Sequence, residues 1–178
     1  EVTLFENLGT WHHEITTTSD LAQKFFDQGL RLVYAFNHEE AIAAFMEASR
    51  LDPDAPMPYW GVALSLGPNI NAAMDPKLEA RAVEAIQKAS ARVSQATARE
   101  RAYVDALALR YSTKKSVARK AKDEAYAKAM RHIAREAPDA VDAATLADEA
   151  MMVLRRWDYR RADGRPHPAT AETVRTLN

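Results

Sequence analysis

The spacing of large and small residues between positions 20 and 53 constrains the fold more than any other feature of this chain. The small members of the series are Gly29, Ala41 and Ala48, and the large members are Phe25, Leu32 and Phe45. Small side chains let two antiparallel helices approach closely, and large ones fill the space between them. Pro53 ends the second helix, because the residue before a proline avoids the helical conformation. The series therefore predicts a helical hairpin.

Two local signals give the bounds of this hairpin. Asp20 and Gln23 are spaced as a capping pair for the first helix. Asn37 lies between the two helices, and asparagine tolerates the left-handed conformation that a turn requires. We therefore predict helices over residues 20–36 and 38–51.

The same offsets occur in the tetratricopeptide (TPR) repeat, in which W-x2-L-G-x2-Y is followed by A-x3-F and a closing P within about 34 residues. The matching positions are Gly29, Ala41, Phe45, Ala48 and Pro53, whereas Phe25, Gln28 and Leu32 replace the Trp, Leu and Tyr. Repeats of this type stack their helix pairs and expose a concave surface. The resemblance implies an all-α fold, a right-handed α-solenoid of about seven or eight helices in antiparallel pairs.

The rest of the chain carries weaker copies of this pattern, and we predict a single helical-repeat domain over residues 1–178. Its segments are a non-helical lead (1–19), repeat one (20–54), a divergent repeat two (55–96) with an inserted loop (67–76), a divergent repeat three (97–138), and the start of a fourth repeat with a tail (139–178). Thr97 and Glu100 form a capping box that opens a helix. Further helices are predicted from Ser116 to Ala137, over 139–157 and over 170–177.

Composition excludes several classes of protein. Without cysteine there are no disulfides, thiolate metal sites or cysteine nucleophiles. No apolar stretch approaches 18 residues, so no membrane span is predicted. The first residues do not resemble a signal peptide, although the chain can begin after a cleaved one. Residues 1–60 hold ten acids and three bases, whereas residues 61–178 hold fifteen acids and twenty-one bases. We interpret this asymmetry as two differently solvated faces, with end-to-end attraction or separate partners as the alternatives.

Several short motifs make the whole chain resemble a bacterial family of TPR proteins. The motifs are residues 8–13 (LGTWHH), 26–30 (FDQGL), 34–41 (YAFNHEEA), 59–64 (YWGVAL), 67–71 (GPNIN), 157–159 (WDY) and 163–164 (DG). Members of that family are considerably longer, which implies that this chain is the N-terminal portion of a longer repeat protein. Members often look exported, which favours a periplasmic or envelope setting, with a cytoplasmic one left open. The resemblance implies no activity.

The first helix of each repeat is expected to line the concave surface. The residues that we expect there are Phe26, Leu30, Tyr34, Met57 and Trp60. An exposed aromatic groove of this kind usually marks a binding surface, so we predict a non-enzymatic scaffold that docks a protein or peptide segment. The alternative is that the lead, with Trp11 and Ile15, or the loop over 68–75 fills the groove.

A second hypothesis places a small-ligand or metal site, conceivably enzymatic, at one edge of the repeats. The candidate residues are His12, His13, His38, Asn69 and Asn71, with the three histidines as the metal ligands. Histidine is the commonest metal ligand, and amide oxygens suit oxygen-seeking ions or a polar ligand. The alternative is that each histidine makes structural hydrogen bonds and that the loop caps helix ends. No nucleophile elbow, phosphate loop or spaced carboxylate pair is present, so an enzyme is the less favoured class.

Two basic runs complete the candidates. They comprise Lys114, Lys115, Arg119, Lys120 and Lys122, and then Arg155, Arg156, Arg160, Arg161 and Arg165. Nucleic-acid binding needs clustered cations together with a recognition or stacking motif, and no such motif accompanies either run. We therefore predict solvated helix faces and no nucleic-acid partner. An open end of the stack makes a homo-oligomer a third hypothesis for its partner.

Overall fold

The computed structural model describes residues 2–111 and 117–176, and over these residues the chain is all-helical. It forms eight helices there and no strand. The helices are α1 (Asp20–Tyr34), α2 (His38–Leu51), α3 (Pro56–Ser65), α4 (Pro76–Ser90), α5 (Ala98–Arg110), α6 (Arg119–Glu136), α7 (Val141–Val153) and α8 (Pro168–Thr176). The predicted all-α fold class is confirmed.

The helices pack in the order of the chain. Each helix packs against the next one, and α1 also contacts α3, which in turn contacts α5. A three-residue connection joins α1 to α2, so this pair forms an antiparallel hairpin. Helices α1, α3 and α5 therefore form an inner layer, and the candidate site lies along it.

One phenylalanine ring joins the first three helices. Phe45 on α2 is fully buried and faces Gly29 on α1 and Gly61 on α3. A Cβ atom at Gly29 would lie 2.6 Å from the Phe45 ring, and one at Gly61 would lie 2.5 Å from it. Both positions thus lack a side chain because the ring occupies that space. Phe26 and Trp60 extend the aromatic cluster around it.

Two of the predicted helix-end signals were wrong by one residue. Ser19, not Asp20, caps α1, and its hydroxyl accepts a hydrogen bond from the Ala22 amide. Asn37 does not adopt the left-handed conformation; Phe36 does, with φ of 60°. Asn37 is the residue that precedes α2, where its side chain makes no cap hydrogen bond.

The later helices follow the predicted order with different bounds. The capping box of Thr97 and Glu100 is confirmed at the start of α5. The predicted helix start at Ser116 lies outside the described residues. Helix α7 is shorter than the predicted 139–157, since it begins at Val141 and ends at Val153, with Leu154 as its C-cap. Turns follow as far as Trp157, whose φ is 61°. The tail packs back on α7 as α8, and Glu172 pairs with Arg131 and Arg135 on α6.

Among the described residues, no helix combines the length and the apolar character that crossing a membrane requires.

Candidate functional site

A row of polar residues on α1 holds the lead. Gln23, Asp27 and Arg31 are spaced four apart and so lie on one face of the helix. The Gln23 amide accepts from the Ile15 amide N–H at 2.9 Å and donates to the His13 carbonyl oxygen at 2.9 Å. Asp27 accepts from the His13 amide at 3.0 Å and from His12 Nδ1 at 2.8 Å. The lead therefore runs antiparallel to α1 and is bound through its backbone.

Asp142, at the start of α7, ties the lead to the far side of the inner layer. One of its oxygens accepts from Trp11 Nε1 at 2.9 Å and from the Tyr34 hydroxyl at 2.5 Å. The other accepts from His13 Nδ1 at 2.6 Å. Burial raises the pKa of Asp142, but the hydrogen bonds from His13 and Tyr34 outweigh burial and lower it. The ionised carboxylate therefore crosslinks the lead, α1 and α7.

Two further buried carboxylates fix the end of the lead. Glu100 on α5 accepts from both the amide and the hydroxyl of Thr16, each at 2.6 Å. Asp52, after α2, accepts from the Thr17 hydroxyl at 2.6 Å and from the Thr18 amide at 2.7 Å. These hydrogen bonds outweigh burial, and the pKa of each carboxyl lies below its usual value. Four buried acids thus bind one extended segment, which we call the lead clamp: Asp27, Asp52, Glu100 and Asp142.

The clamped lead changes how the predicted aromatic groove is interpreted. Four of the groove residues are buried, namely Phe26, Leu30, Met57 and Trp60, and Tyr34 is half-buried with its hydroxyl on Asp142. Ile15 of the lead is also buried, whereas Trp11 keeps 42% of its surface exposed. In this structure these aromatic side chains are core residues. A partner role for them stays a prediction, and it requires the lead to leave.

Beside the clamp lies a cavity of about 240 Å³, which we call the His38 cavity. Helices α1, α2, α3, α5 and α7 and the loop that follows α3 all contribute to its walls. Most of the lining is apolar, including Val33, Leu64, Ile70, Leu146 and Met152. The polar lining includes His38 at the start of α2, Asn69 in the loop, Arg110 at the end of α5, and Asp148 and Glu149 on α7.

The hydrogen bonds of Asn69 fix the tautomer of His38. Asn69 Oδ1 accepts from the Asn71 amide at 2.8 Å and from the Ala72 amide at 3.0 Å. Its Nδ2 group therefore faces His38 Nε2, at 3.2 Å, and donates to it. Burial lowers the pKa of His38, which favours the neutral ring with its proton on Nδ1. That Nδ1 atom is buried and has no hydrogen-bond partner within the described chain.

Arg110 and Glu149 bring opposite charges to the same cavity. The Arg110 side chain is 1% exposed; it pairs with Asp123 at 3.3 Å and lies 4.6 Å from the centre of the Tyr126 ring. Its Nη2 atom and the Oε1 atom of Glu149 are both buried without a partner among residues 2–111 and 117–176. Burial raises the pKa of Glu149, although the nearby charge of Arg110 opposes this. Burial opposes the charge of Arg110, but Glu149 and the other groups around it hold its pKa above the usual value.

Unpaired buried groups of this kind are rare, because each costs about 1–3 kcal/mol of desolvation without a compensating hydrogen bond.

A second cavity of about 760 Å³ lies between the lead and the first turns of α5 and α7. Thr16 and His13 in its lining are already hydrogen-bonded, to Glu100 and Asp142. Among its lining residues only Tyr103 has a buried polar atom without a partner in the described chain, whereas four residues of the His38 cavity do. The His38 cavity is therefore the better candidate for a ligand-binding site.

The candidate metal ligands do not come together in the described part of the chain. His12 faces Asp27, His13 faces Asp142, and His38 faces Asn69. No group of three or more His, Cys, Asp or Glu side chains there is arranged to hold a metal ion. A site built from these three histidines stays a prediction without structural support. Of the second hypothesis, the structure does bring together His38 and Asn69, while Asn71 meets Asn69 only through its backbone amide.

The two basic runs are largely paired. Arg119 and Lys122 both bond Glu79, and Lys120 lies 3.9 Å from Glu124. Arg156 donates to the Asn69 carbonyl oxygen at 2.7 Å, which supports the loop at the cavity wall. Lys114 and Lys115 lie outside the described residues.

Sequence reasoning missed the acids of the lead clamp and the charged pair in the cavity. The four-residue spacing of Gln23, Asp27 and Arg31 on an otherwise apolar helix was the available signal for the clamp. Arg110 and Glu149 carry no such signal, since each looks like an ordinary surface charge on a helix.

Comparisons of the chain with models of known protein families, with curated proteins and with solved structures find no match.

Proposed function

We propose that this chain is a TPR-type binding protein, a right-handed solenoid of helix pairs that holds a small molecule in the His38 cavity. The solenoid is supported by the packing of each helix on the next and by the contacts among α1, α3 and α5. It is also supported by Gly29 and Phe45, which occupy repeat positions and lie in contact range. The bacterial and exported setting that the resemblance implies remains part of this proposal.

One observation carries the small-ligand function. Four of the residues that line this largely apolar cavity have a buried polar atom without a hydrogen-bond partner in the described chain: His38, Arg110, Asp148 and Glu149. Ligand sites typically combine apolar walls with a few polar groups that orient the ligand. A molecule with an apolar body and polar substituents would satisfy these atoms and remove the desolvation cost.

A peptide-binding scaffold, the other function proposed from the sequence, has a further requirement. The lead is bound by backbone hydrogen bonds to Gln23 and Asp27, and Ile15 is buried. The ring of His13 in this segment lies 6.0 Å from the Phe26 ring, so a peptide would have to displace the lead to reach Phe26. Trp60 is buried behind it, against Phe26 and Tyr103. The cavity needs no such rearrangement, so the small-ligand function is the better supported one.

Filling the cavity tests this proposal. Thr145 lines the cavity and is only partly buried, so Thr145→Trp should place an indole in the space without opening the core. We expect small neutral probes (indole, benzamide and cyclohexanol) to show saturation-transfer NMR signals with the wild-type protein. These signals should fall several-fold in Thr145→Trp.

Met46→Trp is the matched control. Met46 on α2 is 55% exposed and lies outside the lining of the cavity, so it adds the same bulk elsewhere. Circular dichroism would verify that both variants fold. Equal probe signals in wild type and Thr145→Trp, or equal losses in both variants, would show that the cavity is not the binding site.

A further inference from the structure

The unpartnered atoms of the His38 cavity specify more than a generic ligand. Two of them are donors: the Nδ1–H group of neutral His38 and the Nη2 group of Arg110. The other two, Glu149 Oε1 and Asp148 Oδ2, are carboxyl oxygens on neighbouring residues of α7. A ligand that satisfies all four must present acceptors to the two donors and donors to the two carboxyl oxygens.

The charges of the lining residues further restrict the chemical class of the ligand. Arg110 is a permanent cation with a free donor, and its paired acid Asp123 contacts it only at Nε. Glu149 and Asp148 are two separate acids, and neither has a hydrogen-bonded cation among the described residues, although the charges of Arg110 and Arg156 act on Glu149. A simple carboxylate ligand would satisfy Arg110 and His38 but would face Glu149. A simple amine would satisfy Glu149 but would face Arg110. A ligand with both charges meets both groups favourably.

The remaining walls and the volume set the body of the ligand. At about 240 Å³ the cavity is smaller than the roughly 300–1,000 Å³ of sites for drug-sized molecules. Val33, Leu64 and Met152 present branched or flexible apolar surface, which suits an aliphatic or aromatic group of a few carbons.

We propose that the His38 cavity binds a free α-amino acid with an apolar side chain. Its carboxylate lies against Arg110 and His38, its ammonium group lies against Glu149, and its side chain packs on the apolar walls. This inference rests on the proposed small-ligand function and gives that ligand its chemical class.

A matched series of ligands tests the inference on the full chain. L-leucine is compared with 4-methylpentanoate, which lacks the ammonium group, and with 3-methylbutylamine, which lacks the carboxylate. L-phenylalanine is compared with 3-phenylpropanoate and 2-phenylethylamine in the same way. Titration calorimetry should show that an amino acid binds on the order of ten- to hundredfold more tightly than either of its analogues, because each analogue loses a charged hydrogen-bonded contact.

The variant Glu149→Gln then tests the contact with the ammonium group of the ligand separately from the contact with its carboxylate. We expect this variant to lose on the order of tenfold or more in affinity for the amino acid, because the amide carries no charge for the ammonium group. Its affinity for the deaminated acid should stay the same or increase. Glu84→Gln is the matched control, since Glu84 on α4 is exposed and bonds Lys88 far from the cavity lining.

Each other outcome overturns the inference. If an analogue binds as tightly as its amino acid, the ligand is not a zwitterion. An equal loss of both ligands in Glu149→Gln would mean that Glu149 does not meet the ammonium group. If the whole series fails to bind while indole or cyclohexanol still gives cavity-dependent NMR signals, this inference fails and the small-ligand function stands. If those probes also fail, the small-ligand function fails with it.

Discussion

At the scale of single residues, the contact of Gly29 and Gly61 with the Phe45 ring decides how closely the first three helices approach. An added Cβ at Gly29 would lie 2.6 Å from the ring, well inside van der Waals contact. Phe45 is fully buried and cannot turn outward without leaving a hole in the core. The ring and the two glycines therefore act as one packing unit.

Because of this packing unit, we expect Gly29→Ala to lower the free energy of unfolding, whereas the same substitution usually raises it within a helix. Alanine normally stabilises a helix interior by about 1 kcal/mol relative to glycine. Here we expect a net loss of about 1–3 kcal/mol, because overpacking forces the helices apart. Urea denaturation followed by circular dichroism gives the free energy of unfolding.

The double variant Gly29→Ala, Phe45→Leu is the control. Once the ring is absent, the added methyl group has space, so the double variant should be at least as stable as Phe45→Leu alone. A stable Gly29→Ala single variant would contradict the packing account.

At the scale of elements, the lead depends on the clamp more than on its own conformation. Over residues 2–19 it has no helix or strand of its own, and its amides bond to side chains on α1, on α5 and after α2. Fixing an extended segment costs roughly 1–2 kcal/mol per residue in backbone entropy. Such a segment stays ordered only if its hydrogen bonds and buried groups offset that cost.

Asp27→Ala should therefore loosen the lead while leaving the helices intact. The substitution removes the acceptor of the His13 amide and of His12 Nδ1, which should destabilise the protein by about 1–3 kcal/mol. Hydrogen exchange measured by mass spectrometry should become faster over residues 11–16. Asp20→Ala, at an exposed position of the same helix, should change exchange there very little. Unchanged exchange of the lead in Asp27→Ala would show that other contacts hold it.

The helices were the predictable part of this molecule, since their spacing and capping signals are local. Thr97 and Glu100 indicated the start of α5 because both partners of a capping box lie within one turn. The clamp was not predictable, since it pairs His13 with Asp142, 129 positions away. For the same reason the sequence indicated His38 and Asn69 as site residues but gave no sign of Arg110 or Glu149. Which charge is buried depends on how the inner helices pack.

At the scale of the whole molecule, the buried acids make stability depend on pH in two opposite ways. Asp52, Glu100 and Asp142 have pKa values below their usual values of 3.8, 4.5 and 3.8, because they accept hydrogen bonds from the lead and, for Asp142, from Tyr34. The unfolded chain therefore binds protons at these groups more readily than the folded chain does. Their contribution is complete above about pH 5 and is lost as the pH falls through the lower folded pKa values.

Asp148 makes stability depend on pH in the opposite direction. Burial raises its pKa from 3.8 to about 6, so ionisation of the folded protein costs stability as the pH rises above the usual value and through about 6. We therefore expect the wild-type urea midpoint to fall as the pH drops below about 5 and the clamp acids become protonated. Glu100→Gln should flatten that acid limb, whereas Asp148→Asn should leave it unchanged. At pH 7 and above, Asp148→Asn should instead raise the free energy of unfolding by on the order of 1 kcal/mol, after allowance for solvent screening, and the urea midpoint with it. If the midpoint of Glu100→Gln falls with acid as steeply as that of the wild type, the lead clamp does not cause the loss of stability in acid. If Asp148→Asn is less stable than the wild type at pH 7, the fold stabilises the Asp148 anion, contrary to this account.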